Sequence, residues 1–459
     1  MEFIGRKNEL RKLMNEVNKD LLSFSLIYGR RRVGKSELVK KLYSSTEHKC
    51  IYYECKQVSE ESNVSSINSL LEEIFNLPKI GYSKIEETLD FIFSLAIKEK
   101  IILILDEYPY LRENVAGLDS ILQSLIDKYR DTSKLSLIVL GSYVDVMKSM
   151  IQHHNPLYGR VDLTIELKPM DYLDSSKFYD SFSYEDKVRL YSVFGGIPYY
   201  NRLIDKNKTV KENIIDLIAS PSSRLENEVN TYLNSEISKI TNANEVFSAL
   251  SKGYKKYSDI LSQSHVSSGP TLVDVLEKLI NMGVVEKINP INEENNKRKS
   301  SYRISDNLSS FYFRYIFRNL SSLNVMSPEA FYSKFIEKDF EEYYVPHKFE
   351  SICKQYLIRK NKEGKIDPPF SKIGTYYYDD PIAKTNGEFD LVTLDEFGYV
   401  FYEVKFKKNP LTDSSIKLEI EQVNKTNLNC YKYAFISRSN IEITPKEDVE
   451  IITLEDLFK

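Results

Sequence analysis

The tightest constraint on this chain lies near its start. Phe24 to Tyr28, FSLIY, is an apolar, β-rich stretch that stops at a glycine, and GRRRVGKSELVKKLY follows with helical character. The loop between them reads G-x-x-x-x-G-K-S over Gly29, Arg30, Arg31, Arg32, Val33, Gly34, Lys35 and Ser36, and Glu37 comes next. Strand, loop and helix in that order suit a bound triphosphate. Gly29 and Gly34 let the backbone come close to phosphate oxygens with its N–H groups turned inward, where a Cβ would intrude. The positive end of the following helix adds to the field on the anion. Lys35 can reach the β and γ phosphates, and the Ser36 hydroxyl is placed to ligate magnesium. Residues 29–37 are therefore the expected nucleotide-binding set, with ATP and Mg2+ as cofactors.

A second run, KIILILDEYPYL, has the continuous apolar character of a strand buried on both faces of a parallel sheet, and it ends in Asp106 and Glu107. Asp106 is expected to hold the magnesium ion, and Glu107 to orient or deprotonate the attacking water. The plain alternative is a turn with both acids in solvent. A third run, LSLIVLGSYVDVMKSM, ends in Gly141 and Ser142, and a polar side chain there can sense the γ-phosphate between the two earlier strands. In NPLYGRVDLTIELKPM, Arg160 follows a Tyr-Gly turn. It can stabilise the transferring phosphoryl group in its own or a neighbouring subunit, the latter requiring a homo-oligomer, or it can pair with a nearby acid.

At 459 residues the chain calls for three or more folding units, since domains of roughly 100–200 residues are usual. No apolar run approaches the roughly 20 residues that span a bilayer, so no membrane insertion is expected. MEFIGRKNEL lacks the pattern of a secretory signal, which makes the expected location cytoplasmic. Cys50, Cys55, Cys353 and Cys430 show no C-x-x-C pair and read as reduced core thiols rather than zinc ligands. A net charge of -4 argues against a chain coated in nucleic-acid-binding charge, while leaving room for local basic surfaces.

With these pieces in order, the first half resembles the archaeal-type ATPases of the AAA+ and STAND group of P-loop proteins. FIGRKNEL, GRRRVGKS, LDE, LGS, PLYGR and FGGIPYY follow one another as in that family. The resemblance implies ATP hydrolysis, Ile4, Gly5 and Arg6 beside the adenine, and Gly195, Gly196 and Pro198 starting or touching a helical lid. It also implies a winged helix. ANEVFSALSKGYKK, YSDILSQSH and PTLVDVLEKLINMGVV carry apolar residues at helical spacing, and VVEKINPI and SSYRIS form an extended pair. NEENNKRKS between them is the expected wing, with Lys297, Arg298 and Lys299 exposed to touch DNA phosphate. On the third helix Asp274 and Glu277 face only Lys278, which disfavours base reading in the major groove. A protein-contact role, or non-specific DNA contact through the wing with Lys252, Lys255 and Lys256, fits better.

The C-terminal part opens with a helix in FEEYYVPHKFESICKQYLIRK. The strands KIGTYYYDD, GEFDLVTLD and GYVFYEVKFK, a helix around IKLEIEQVNK and the strand YKYAFISRS follow. This α, β, β, β, α, β succession resembles restriction-endonuclease-like, PD-(D/E)XK folds, on Asp390 in GEFD and on Glu403 and Lys405 in YEVK. Strand alternation puts Glu403 and Lys405 on one face. The resemblance implies that Asp390 and Glu403 bind metal, that Lys405 positions water or offsets phosphate charge, and that Glu350 is an additional acid. The alternatives are a structural Glu403–Lys405 salt bridge and a solvated Glu350. Glu388 stands where the family name has proline-aspartate.

The expected architecture is thus α/β: a P-loop core with a parallel sheet over 1–170, a helical lid over 171–235, a winged helix over 236–325 and a restriction-endonuclease-like domain over 326–459. Two functions follow. Nucleotide state controls a metal-dependent nuclease acting on DNA, or it drives a signalling switch whose C-terminal domain only binds a partner or DNA. A third, transport or protein remodelling by an oligomeric ring, depends on Arg160 acting between subunits.

Overall fold

The three apolar runs become the middle of a five-stranded parallel sheet. The computed structural model describes residues 3–226, 228–229, 242–380, 385–407, 410–426, 428–438, 441–442 and 448–459. Packing gathers the chain into two units, Met1–Pro169 with Ile197–Tyr199, and Met170–Gly196 with Tyr200–Lys459.

In the first unit β1 (Ser23–Tyr28), β2 (Lys49–Glu54), β3 (Ile101–Asp106), β4 (Leu135–Gly141) and β5 (Leu163–Glu166) lie in the order β2-β3-β4-β1-β5. Every neighbouring pair is parallel. Phe24, Leu26, Leu103, Leu105, Leu137 and Val139 pack on one face with helices Glu60–Phe75, Ile85–Leu95 and Leu118–Tyr129. Ile27, Ile102, Ile104, Ile138 and Leu140, one residue along, are also buried, so no strand face in the sheet centre is left to water. Pairing aligns Tyr28 with Gly141 and Glu54 with Asp106. The loops leaving β1, β3 and β4 therefore emerge side by side at the carboxyl edge, where open α/β sheets bind ligands.

In the second unit helices Ala243–Ser251, Tyr257–Gln263 and Gly269–Asn281 precede an antiparallel ribbon of β6 (Val285–Ile288) and β7 (Ser301–Ile304). The third of these helices starts where its spacing predicts, with the Ser268 side chain accepting from the Thr271 N–H and a proline in the first turn. A long helix, Val345–Lys362, then leads into β8 (Lys372–Asp380), β9 (Thr385–Leu394) and β10 (Tyr399–Lys405). After the two-residue β11 (Leu411–Thr412) comes a helix, Asp413–Asn424. β12 (Cys430–Ser437), the two-residue β13 (Ile441–Glu442) and β14 (Val449–Thr453) follow. The sheet order is β14-β12-β10-β9-β8, antiparallel across β8, β9 and β10 and parallel from β10 to β14. Ile416 and Val423 of the Asp413–Asn424 helix pack with Phe401 and Phe435 of the sheet.

The segment expected as a lid packs with the C-terminal elements. Tyr344 donates from its hydroxyl to the Ser192 and Asn307 carbonyls, both at 3.1 Å. Arg189 forks onto Glu341 at 2.8 and 3.0 Å, and the Tyr184 ring stacks on Phe458 with centroids 5.0 Å apart. The boundary expected between 235 and 236 lies outside the described residues. No helix among the described residues is long and apolar enough to cross a membrane, and all four cysteines are free thiols.

The loop between β6 and β7 is not the free wing expected. Its Ile291 N–H donates to the Thr375 carbonyl at 2.8 Å, and Asn292 exchanges hydrogen bonds with the Tyr377 backbone at 2.8 and 3.0 Å. Glu294 pairs with Lys372 at 2.9 Å, and Ile291 joins the C-terminal core. The Lys299 ammonium sits 3.3 Å from the Tyr377 ring centroid, while Lys256 bonds the Lys299 carbonyl at 2.9 Å and Glu388 at 2.8 Å. Lys299 and Lys256 are therefore engaged rather than free for phosphate, and only Lys297 and Arg298 remain exposed as expected. The cause is that β8 is an edge strand, whose unpaired N–H and C=O groups take partners from any segment of matching geometry.

Candidate functional site

At the carboxyl edge of the first sheet the functional side chains form one bonded network. Lys35 is buried at 5% exposure, and its ammonium donates to the carbonyls of Gly29 (2.8 Å) and Arg30 (3.3 Å) and to Ser142 Oγ (2.8 Å). A buried ammonium is tolerable only with such partners. Because β4 lies between β1 and β3, Ser142 leaves the sheet between the loop and the β3 acids. Its hydroxyl donates to Glu107 Oε1 at 2.5 Å and its N–H to Glu107 Oε2 at 3.1 Å. Ser142 thereby links Lys35 to Glu107, which it does with β4 in the middle of the sheet.

Asp106 is buried at 2% exposure. A carboxylate so placed and left unpartnered would cost several kcal/mol, and it accepts from three donors: Ser36 Oγ (2.6 Å), Tyr52 hydroxyl (2.6 Å) and the Glu107 N–H (2.9 Å). Burial, then the bond to Asp106, pushes the Tyr52 phenol well above its ordinary value. Tyr52 is a residue that sequence reasoning missed; it sits on β2, whose alternating exposure gave no continuous apolar run. Two hard oxygen donors, Ser36 Oγ and an Asp106 oxygen, stand together, the ligand type magnesium takes while completing its shell with water and phosphate oxygens. Among the described residues no group of three or more His, Cys, Asp or Glu side chains is arranged to hold a metal.

Around this centre, Arg6 donates to the carbonyls of Val33 (3.3 Å) and Lys168 (2.6 Å), tying the N-terminal box to the loop. Gly5 and Arg6 both take positive φ, 70° and 59°, beside a half-buried Ile4. Gly34 has φ 97°, the left-handed region that favours glycine, and stands next to Pro198. Arg30 and Val33 are buried, Arg31 is exposed, and the Arg32 guanidinium lies 4.2 Å over the Tyr199 ring. Glu37 is exposed, 3.9 Å from Lys40. Gly195 closes the helix Tyr184–Phe194 with φ 59°, and a Cβ on Gly196 would stand 1.9 Å from the Met170 carbonyl oxygen.

Residues 3–203 match the sequence profile of an ATPase domain predominantly from Archaea. Residues 312–422 match a second profile, described as Archaea bacterial proteins of unknown function. A Methanocaldococcus jannaschii protein, called uncharacterized, is 30% identical over 463 residues that cover 99% of each chain. The chain belongs to the archaeal ATPase family. A Walker-type ATPase of Pyrococcus abyssi has a similar fold, with a TM-score of 0.52 at 19% identity, over 68% of this chain and 96% of that one. The ORC2 protein of Aeropyrum pernix, in ADPNP–ADP complexes, matches at a TM-score of 0.48 and 13% identity, over 71% and 96%.

In the ATPase, Arg160 is spoken for within its own unit. Its guanidinium forks onto Asp127 with both contacts at 2.8 Å and also donates to the Pro156 and Tyr158 carbonyls. The hydrogen bond from Arg160 holds the Asp127 carboxyl below its ordinary range. This is the ion pair set out as the alternative for Arg160, and contact with a nucleotide requires the fork to open. Gly29→Ala in the ATPase is expected to lower the thermal unfolding temperature, because an added Cβ would stand 2.3 Å from the Leu167 carbonyl oxygen. Overpacking of that kind costs ~1–3 kcal/mol; an unshifted melt would show that the loop accommodates it.

The second unit brings Asp390 and Glu403 together. Tyr402 pairs with Leu391 across β9 and β10, so the next residues outward, Glu403 and Asp390, leave the ladder as neighbours. With Glu350 and Glu419 they line a cavity of about 130 Å3. Lys405 pairs with Glu403 and, at 3.1 Å, with Glu419, a residue that sequence reasoning did not single out. Glu350 lies 3.1 Å from His347 Nδ1. Asp390 reaches solvent, yet the crowded walls around it raise its carboxyl above the ordinary value, and Glu350 adds repulsion. Burial also raises Glu403, with Lys405 offsetting part of the effect.

Proposed function

We propose that this ATPase is a cytoplasmic protein whose nucleotide state controls a restriction-endonuclease-like, metal-dependent nuclease domain at its C-terminus, acting on DNA. In this reading Lys35 holds the β and γ phosphates, Ser36 and Asp106 hold magnesium, Glu107 orients the attacking water and Ser142 senses the γ-phosphate. Ile4, Gly5 and Arg6 contact the base. The helices from 171 to 235 serve as lid, and the three helices with the β6–β7 ribbon are a winged helix. Arg160 acts on the phosphoryl group after leaving Asp127, in its own subunit or across a homo-oligomer.

The observation that carries the nuclease reading is the cavity lined by Asp390 and Glu403 from neighbouring strands and by Glu350 and Glu419 from two helices, beside Lys405, although no three of these acids are arranged as a ready metal cluster. Crowded acids whose carboxyls are raised by burial and mutual repulsion are a favourable seat for a divalent cation. Bound there, such an ion supplies an activated water and charge neutralisation at the phosphoryl oxygens. Asp390 and Glu403 would be its ligands. Lys405 shares a strand face with Glu403 and turns from Glu419 toward the phosphodiester, offsetting its charge.

With plasmid DNA and magnesium or manganese, the purified protein is expected to nick the substrate, and Asp390→Ala or Lys405→Ala to stop the nicking. ATP turnover in the same preparations reports whether the first unit is intact. No cleavage of DNA or RNA by the wild-type chain with either metal removes this reading. The second reading, a switch whose C-terminal domain only binds a partner or DNA, is favoured by one feature: Lys405 already pairs with both Glu403 and Glu419, as in a purely structural salt bridge.

A further inference from the structure

Beside the acid cavity, between the β6–β7 ribbon and the helix Val345–Lys362, lies a crevice of about 60 Å3 lined by Lys255, Arg303, His347, Lys354, Glu388 and Asp390. On the scale where one water needs ~10–15 Å3, that is room for a few waters or one tetrahedral oxyanion. Glu350, Glu388 and Asp390 line both the crevice and the acid cavity, so the two adjoin.

Charge accounting separates this crevice from an ordinary surface. Arg303 is paired with Glu286 at 2.5 Å, Lys256 with Glu388 at 2.8 Å and His347 with Glu350 at 3.1 Å. Lys255 and Lys354 form no ion pair among the described residues, and the lining acids that face them are Asp390 and, with His347 neutral, Glu350. These two ammonium groups, with the Arg303 guanidinium beside them, are the donors the crevice offers to an added anion such as a phosphodiester. Burial, then the nearby Arg303, pushes the Lys354 ammonium below its ordinary value, with Glu286 offsetting part of the effect. The loop that would otherwise offer basic groups is bound to β8 through Ile291 and Asn292.

We propose that this crevice seats one backbone phosphate of a nucleic acid, held by Lys255, Arg303 and Lys354, so that the strand continues into the Asp390–Glu403 cavity. The choice of ligand rests on the nuclease reading above; the seat itself rests on the crevice and its charges. The ribbon and the start of the helix Tyr257–Gln263 thus contact nucleic acid from beside the C-terminal sheet rather than through the loop tip.

The test is fluorescence anisotropy of labelled single- and double-stranded DNA and RNA oligonucleotides on the full chain, with EDTA present so that cleavage plays no part, over a series of KCl concentrations. Lys255→Ala with Lys354→Ala is expected to weaken binding at least ~10-fold without regard to sequence and to reduce the slope of log K against log salt by about one to two. Lys297→Ala with Arg298→Ala is expected to change it less than ~2-fold. The Lys255→Arg, Lys354→Arg pair should restore binding, which separates loss of charge from loss of fold. Wild-type chain that binds no oligonucleotide, or an alanine pair that binds as wild type, overturns the proposal. Saturable binding of inorganic phosphate by calorimetry, lost in the alanine pair and without oligonucleotide binding, also overturns it, assigning the crevice to a free anion. Binding that needs Lys255 and Lys354 in a protein that never cleaves leaves the seat standing and removes the nuclease reading; cleavage untouched by the alanine pair does the reverse.

Discussion

Replacing Lys35 with alanine is expected to abolish ATP hydrolysis while leaving the first unit folded. The ammonium is buried at the head of the loop helix, where it donates to two loop carbonyls and the Ser142 hydroxyl. Each of these is an acceptor that a water filling the space of the lost side chain can serve. The charge itself cannot be replaced, and loss of one preorganised contact to developing negative charge lowers kcat by ~10²–10³-fold. Phosphate release at saturating ATP, with a melting curve as control, measures this. Turnover within ~3-fold of wild type would remove Lys35 from the mechanism.

Glu107→Gln is expected to leave ATP bound and unhydrolysed. The amide is the same size and keeps one oxygen for the Ser142 hydroxyl, so the network from Lys35 through Ser142 survives in outline. What is lost, in the role proposed for Glu107, is the base, an effect of ~10²–10⁴-fold. The backbone at Glu107 points the same way: φ is 52°, in the left-handed region that a non-glycine residue occupies at a cost of ~1–3 kcal/mol, the kind of strain found at functional positions. Single-turnover hydrolysis of radiolabelled ATP, alongside its binding affinity, is the measurement. Hydrolysis at the normal rate would assign the water to a different group.

Much of the first unit was legible because its signals are local. FSLIY, KIILILD and LSLIVLG are continuous apolar runs because their strands have helices or chain on both faces, and the loop residues Gly29 to Ser36 are contiguous. β2 and β5 were not legible, since each is an edge strand with residues left to solvent and too short a pattern to stand out. β14 escaped for the same reason.

What the sequence determined by itself is therefore whatever is written within a few residues of one place: the phosphate loop, the acids at the end of β3, the shared face of Glu403 and Lys405. Tertiary structure alone decided which distant side chains complete each site. Tyr52 reaches Asp106 across 54 positions, Arg160 turns to Asp127 across 33, and Glu419 takes a share of Lys405. It also bound the expected wing to the open edge of β8. Hydrophobic periodicity encodes which face of an element is buried, whereas a hydrogen bond between elements depends on sheet order and register, which no local pattern carries.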